Sequence, residues 1–265
     1  IALAALTVSA SVLCGCGSNN TASSGAPADS SAASEAATTQ PVTDSPVKAT
    51  GGKIHITDNT LGDIWITELE GVPVNKLQAD GFTADNTFKY YSENGQPASN
   101  EGIDVSSFSG SIDWAKVKES GVDFAMIRLG GRGYGDEGGL YADDKAAENL
   151  QGAKAAGIAV GAYFFSQAID VAEAKQEAAY ALGILGSFEL DLPLVYDWEY
   201  VNDTARTANM DRRTLTDCSL AFCQYMEEKG YQPMSYFNTS QMRNDLNIWE
   251  LEEYPYWLAL YKNRM

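Results

Sequence analysis

The stretch Leu192-Pro193-Leu194-Val195-Tyr196-Asp197-Trp198-Glu199 constrains this chain more than any other. An apolar run of that length behind a proline reads as a buried strand. It ends in two acids separated by one residue. Side chains alternate across a strand, so Asp197 and Glu199 point to the same face with Cα atoms roughly 6–7 Å apart. Two carboxylates held there repel each other and lose water, which pushes their pKa values apart into one proton donor and one anion. That division of labour suits hydrolysis of a glycosidic bond. The bland alternative is a pair of acids in a solvated loop, and the surrounding pattern decides between the two.

From Gly102 onward the pattern alternates. Gly102-Ile103-Asp104-Val105-Ser106 reads as a short strand, and residues 112–121 as a helix with Asp113 near its start and Gly121 just beyond its end. Phe124 to Leu129 reads as a strand, followed by the glycine-rich GGRGYGDEGG. A helix from about Ala142 to Ala156 ends at Gly157, a strand covers 159–166, and a helix runs from Val171 to Leu185. After LPLVYDWE come a helix from about Asp211 to Lys229, closed by Gly230, and strands at 233–240 and 255–261. Strands alternating with such helices imply right-handed βα units around a parallel sheet, hence an α/β protein with a TIM-like (β/α) barrel. Asp104, Asp197 and Glu199 all fall at C-terminal strand ends, where barrel enzymes build their active sites. GGRGYGDEGG lacks the GK[ST] ending of a phosphate loop and is expected to be a flexible rim loop.

Composition removes competing chemistries. The chain has a single histidine, His55, outside the alternating region and expected at the surface. Ser-His-Asp and Cys-His catalysis and histidine zinc sites are thereby excluded, so carboxylates must carry any proton transfer, and neither a metal nor a cofactor is expected. A net charge of −18 and a pI near 4.3 argue against nucleic acid and anionic membrane surfaces as partners. Cys218 and Cys223 sit five apart in a helical pattern, which separates their Cα atoms by about 8 Å on different faces and makes them core residues, not a disulfide.

The N-terminal part reads differently. Residues 1–13 form an apolar, small-residue run, followed by Leu13-Cys14-Gly15-Cys16. This resembles a bacterial lipoprotein signal, here partial (1–16), with Cys16 as the lipidated residue. Residues 17–50, almost without large apolar side chains, are expected to be a disordered linker. Its 34 residues reach about 30–35 Å as a flexible chain. Residues 51–101 alternate short apolar pieces with turns, among them Asn94-Gly95, and read as a small β-rich extension of two to four strands. Packing is the expected role of Trp65, Tyr90 and Tyr91 there.

The ordered motifs GIDVSSFSGSIDWAKVKESGVDFAMIRLGGRGYG, AAGIAVGAYFFSQA, LPLVYDWE, GYQPMSYFN and YPYWLALY resemble glycoside hydrolase family 25, the Chalaropsis-type lysozymes. The resemblance runs from Gly102 to Tyr261, within a catalytic domain of residues 102–265. It implies a modified TIM-like barrel and a muramidase cutting peptidoglycan between N-acetylmuramic acid and N-acetylglucosamine. Glu199 is then the general acid, with Asp197 and Asp104 as supporting carboxylates. Tyr163, Tyr236 and Trp257 become candidate substrate-binding aromatics. The implied partners are peptidoglycan glycan strands and, through the lipid only, the outer face of the cell membrane; a monomer is expected.

One departure stands out. The family carries a fourth acid on its last strand, whereas this chain offers six strands by Met265. The 164 residues from Gly102 fall short of the roughly 200–250 of a closed barrel. The expectation is a C-terminally truncated domain, unstable and inactive without its remaining strands. Two rivals were weighed. A family 18 chitinase would need further acids upstream of Asp197, where Leu192 and Val195 stand. A wall-binding lipoprotein without catalysis would not need a titrating acid pair.

Overall fold

The computed structural model describes residues 49–58, 62–69, 77–85 and 87–259. The expected signal segment with Cys14 and Cys16, and the expected linker up to residue 48, lie outside the described residues.

Two small antiparallel units come first. β1 (Ala49–Asp58) pairs with β2 (Gly62–Leu69), setting His55 opposite Trp65 with both rings exposed. β3 (Phe82–Ala84), β4 (Lys89–Glu93) and β5 (Gln96–Pro97) form a second sheet whose Asn94-Gly95 turn has both φ angles positive. Five strands therefore occupy the region where two to four were expected. Tyr91 is buried, whereas Trp65 is 66% exposed.

The main body runs β6 (Gly102–Val105), α1 (Trp114–Glu119), β7 (Phe124–Arg132), β8 (Leu140–Ala142), α2 (Ala146–Ala155), β9 (Ala159–Ser166), α3 (Val171–Leu185), β10 (Leu194–Trp198), α4 (Arg212–Glu228), β11 (Pro233–Asn238), α5 (Thr239–Asn244) and β12 (Tyr256–Ala259). Six strands lie parallel in the order β6-β7-β9-β10-β11-β12, each beside the next in sequence. This is the winding of a (β/α) barrel, curled but open along β6 and β12 among the described residues. Asp113, Asp170 and Asp211 cap α1, α3 and α4 by accepting the backbone N–H of Lys116, Glu173 and Thr214 at 3.2, 2.8 and 2.9 Å. No helix among the described residues is long and apolar enough to cross a membrane.

Strand alternation divides the core in two. Leu194, Tyr196 and Trp198 of β10 join Ile127, Leu129, Phe164, Leu215 and Phe222 between sheet and helices. Val195 joins Phe124, Met126, Tyr163, Met234, Tyr236 and Trp257 on the inner face. Each such fully buried side chain contributes about 1.5–3 kcal/mol. Cys218 and Cys223 are buried free thiols in the outer core, with Cys223 Sγ 3.7 Å from Ser235 Oγ.

Two expectations need correction. GGRGYGDEGG is not all rim loop: β7 continues through Gly130, Gly131 and Arg132 and pairs with β8, so the following helix starts at Ala146 instead of Ala142. The glycines permit this approach, since a Cβ on Gly130 would sit 2.2 Å from the Tyr141 carbonyl oxygen and one on Gly131 2.6 Å from the Tyr141 hydroxyl. Gly130→Ala should therefore destabilise the protein by roughly 1–3 kcal/mol, readable as a lower denaturant midpoint at unchanged slope. Second, the strand expected at 233–240 stops at Asn238. That residue and Gln241 form a capping box that opens α5, a helix not foreseen.

Candidate active site

The inner face of the sheet gathers the acids. Asp104 stands on β6 and Asp197 on β10, while Glu199 lies one residue beyond the end of β10. All three influence one another electrostatically: Asp197 feels Glu199 and Asp104, and Glu199 feels Asp104. Burial, together with these neighbouring charges, pushes Asp197 well above the usual carboxylate range. Burial and then Asp104 raise Glu199, against the Tyr236 hydroxyl, which donates to Glu199 Oε2 at 3.5 Å. Asp104 is raised by burial. The buried Oδ1 of Asp197 has no hydrogen-bond partner among the described residues.

The aromatic candidates assemble beside the acids. Tyr163, Tyr236 and Trp257 share the inner-face cluster, with Trp257 edge-on to Tyr236 at 5.1 Å and to Tyr163 at 6.1 Å. In the sheet register Asp197 pairs with Tyr236, and Tyr236 with Trp257. All three rings are at least nine-tenths buried, so packing occupies most of their surface.

The sequence reading missed a cation at this site. Arg128 on β7 acts to lower the Asp197 pKa, against burial and the neighbouring acids. Its Nε donates to Asp143 Oδ2 at 2.8 Å and its guanidinium also reaches Ser107 Oγ at 3.1 Å. Burial works to raise the Asp143 carboxyl, but the N–H groups of Ser107 and Lys145 and the Arg128 guanidinium outweigh it and hold it below the usual range. Arg128 also stacks over exposed Phe108, 4.9 Å from the ring centre. A charge inside the apolar run FAMIRLGG was the available signal, since a buried arginine requires paired oxygens. Its partner Asp143 could not be chosen from sequence.

Raised pKa values carry a stability consequence. A carboxyl raised in the fold stabilises the protein below its ordinary titration range, and that contribution is lost as pH rises through the folded value. Asp197→Asn should thus raise the melting temperature near pH 7 and change it little near pH 4. Equal shifts at both values would contradict a raised Asp197.

A parallel (β/α) sheet with acids gathered at its C-terminal strand ends, flanked by aromatic rings, is the arrangement of a (β/α)-barrel protein with its site at that face. The family profile described as glycosyl hydrolases family 25 matches residues 103–265, and the chain belongs to that family. An autolytic lysozyme from Clostridium acetobutylicum is 29% identical over 161 residues, 61% of this chain and 45% of that protein. Lysozyme M1 from Streptomyces globisporus is 37% identical over 103 residues, 38% of this chain and 33% of that one. The chain thus matches less than half the length of either relative. Among solved structures, the modular autolysin LytC from Streptococcus pneumoniae aligns with a TM-score of 0.56 at 25% identity, over 82% of this chain and 50% of its own. A muramidase from Acremonium alcalophilum aligns at 0.51 and 22% identity, over 62% and 78%, and supports the fold alone.

Proposed function

We propose that this protein is a peptidoglycan hydrolase of the muramidase type, cleaving the β-1,4 bond between N-acetylmuramic acid and N-acetylglucosamine. The observation that carries this reading is the gathering of Asp104, Asp197 and Glu199, each raised in pKa by burial, beside Tyr163, Tyr236 and Trp257. The lysozyme relatives, and a LytC structure holding a synthetic peptidoglycan ligand, support the substrate class.

In this reading the neighbouring acids titrate together, each raised above the usual carboxylate range by burial. Glu199 is only half-buried, unlike Asp197, so its carboxyl can reach a glycosidic oxygen and protonate the leaving group. Asp197, closed off from water, is a supporting carboxyl beside Glu199 and Asp104 that acts through its charge. Asp104 is the second supporting carboxyl, and its charge acts on both Asp197 and Glu199. Tyr163, Tyr236 and Trp257 form the apolar flank against which a sugar ring packs. A lipid on Cys16 and the linker would place this site just outside the cell membrane, acting as a monomer on the wall.

The test is the identity of the new chain end. Purified peptidoglycan digested by the full-length protein and reduced with borohydride should yield muramitol ends; glucosaminitol ends would mark a glucosaminidase, and no new ends would overturn the hydrolase reading.

A further inference from the structure

Glu199 lies past the strand that aims it. β10 pairs with β11 as far as Asp197 and with β9 as far as Trp198. The carbonyl groups of Trp198 and Glu199 therefore stand where the ladder stops supplying donors. Successive carbonyls of an extended chain face opposite neighbours, so each needs a donor from a different side.

Two glutamines meet that need. Gln241, in α5 directly after β11, donates its Nε2 to the Trp198 carbonyl at 2.8 Å. Gln167, the residue after β9, donates its Nε2 to the Glu199 carbonyl at 2.9 Å. They reach in from the two strands that flank β10, and both are buried, at 2% and 0% exposure. Their orientations follow from their other partners. Gln241 Oε1 accepts the Asn238 backbone N–H at 2.8 Å, leaving only the amino group for Trp198. Gln167 Nε2 also faces the Ser166 carbonyl at 2.8 Å, while its Oε1 accepts the Thr207 hydroxyl at 2.6 Å. A buried carboxamide costs stability unless each atom is paired, and a leucine would fill similar space without that requirement.

We infer that Gln167 and Gln241 are positioning residues for Glu199, a two-sided clamp that continues strand geometry past the end of the ladder and holds the Glu199 carboxyl on the inner face beside Asp104 and Asp197. The clamp rests on the muramidase reading for what Glu199 does, but its hold on Glu199 is measurable without turnover. Neither glutamine touches the substrate in this account. Each acts through the backbone.

The experiment follows the Glu199 side-chain carboxyl carbon by NMR across pH in the full-length protein, its signal assigned by its loss in Glu199→Gln. Gln167→Leu and Gln241→Leu should each bring the Glu199 midpoint down by at least about half a unit towards the ordinary glutamate value of about 4.3, because the released carboxyl swings into water. Turnover on peptidoglycan should fall about 10–100-fold with KM within about threefold, the pattern of a misplaced reacting group. Leu150→Val, on the buried face of α2, should lower the melting temperature and move neither quantity. If the leucine variants do not fold, Thr207→Val gives the same comparison, since it only unpins Gln167 Oε1. An unchanged Glu199 midpoint in the folded variants overturns the clamp, whatever happens to turnover. A midpoint that moves in a protein inert on peptidoglycan upholds the clamp and overturns the muramidase reading.

Discussion

Exchanging Glu199 for glutamine should lower the release of reducing ends from peptidoglycan by at least roughly 10²–10⁴-fold while binding to the wall persists. The substitution keeps the size of the side chain and its ability to accept from the Tyr236 hydroxyl, so packing changes little. What it removes is the titrating proton of Glu199, a half-buried carboxyl raised by burial and by Asp104. Asp197 cannot take over, because it is closed off on the inner face and bracketed by its neighbours. Reducing-end assays on the variant and the parent, with a pull-down on insoluble peptidoglycan beside them, separate chemistry from binding. A variant retaining a tenth or more of parental turnover would refute Glu199 as the general acid.

Replacing Arg132 by methionine should cost about 3–5 kcal/mol of stability, the usual result of stranding one member of a buried ion pair. Arg132 is 4% exposed, and its Nε donates to Glu177 Oε1 at 2.8 Å while NH1 donates to the Gly138 carbonyl at 2.8 Å. Glu177 is fully buried on α3 and also accepts from the Ser166 hydroxyl at 2.6 Å. One turn away, Glu173 takes both terminal nitrogens of Arg206 at 2.8 Å, which ties the segment after Glu199 to the same helix. Burial pushes the Glu177 carboxyl up to about 7 even with Ser166 and Arg132 pulling it down. A carboxyl raised in the fold gives stability that is complete below its unfolded value and lost as pH climbs through the folded one. Without Arg132 the folded value rises further, so the loss should be smaller at pH 5 than at pH 8. For a domain of this size the midpoint near neutrality should drop by roughly 10 °C. A variant equally destabilised at both pH values would mean that Glu177 stays ionised throughout.

These networks also mark where reading the sequence stops. The local periods were sufficient for α3, found at Val171–Leu185, and for β9, found at Ala159–Ser166, because each buries a regular face bounded by clear turn or cap residues. They were insufficient for β8, whose three residues are a strand only because Gly130 and Gly131 let β7 come close. The capping box of α5, Asn238-Thr239-Ser240-Gln241, lies at the end of the stretch read as a strand over 233–240, where the apolar run masks it.

The sequence by itself determined the class of fold and the face of β10 on which Asp197 lies, since both follow from periodicity over a few neighbouring residues. Single residues also excluded whole chemistries, as the lone His55 did. Tertiary structure alone decided what surrounds the acids. It brought Asp104 to Asp197 across the sheet, gave Arg128 its partner Asp143 fifteen residues away, and gave Arg132 its partner Glu177 forty-five residues away. It also ended β10 one residue before Glu199 and set a glutamine on either side of it. The reason is physical: burial and charge coupling depend on distances in space, and a chain fixes those only once every βα unit has packed against the next.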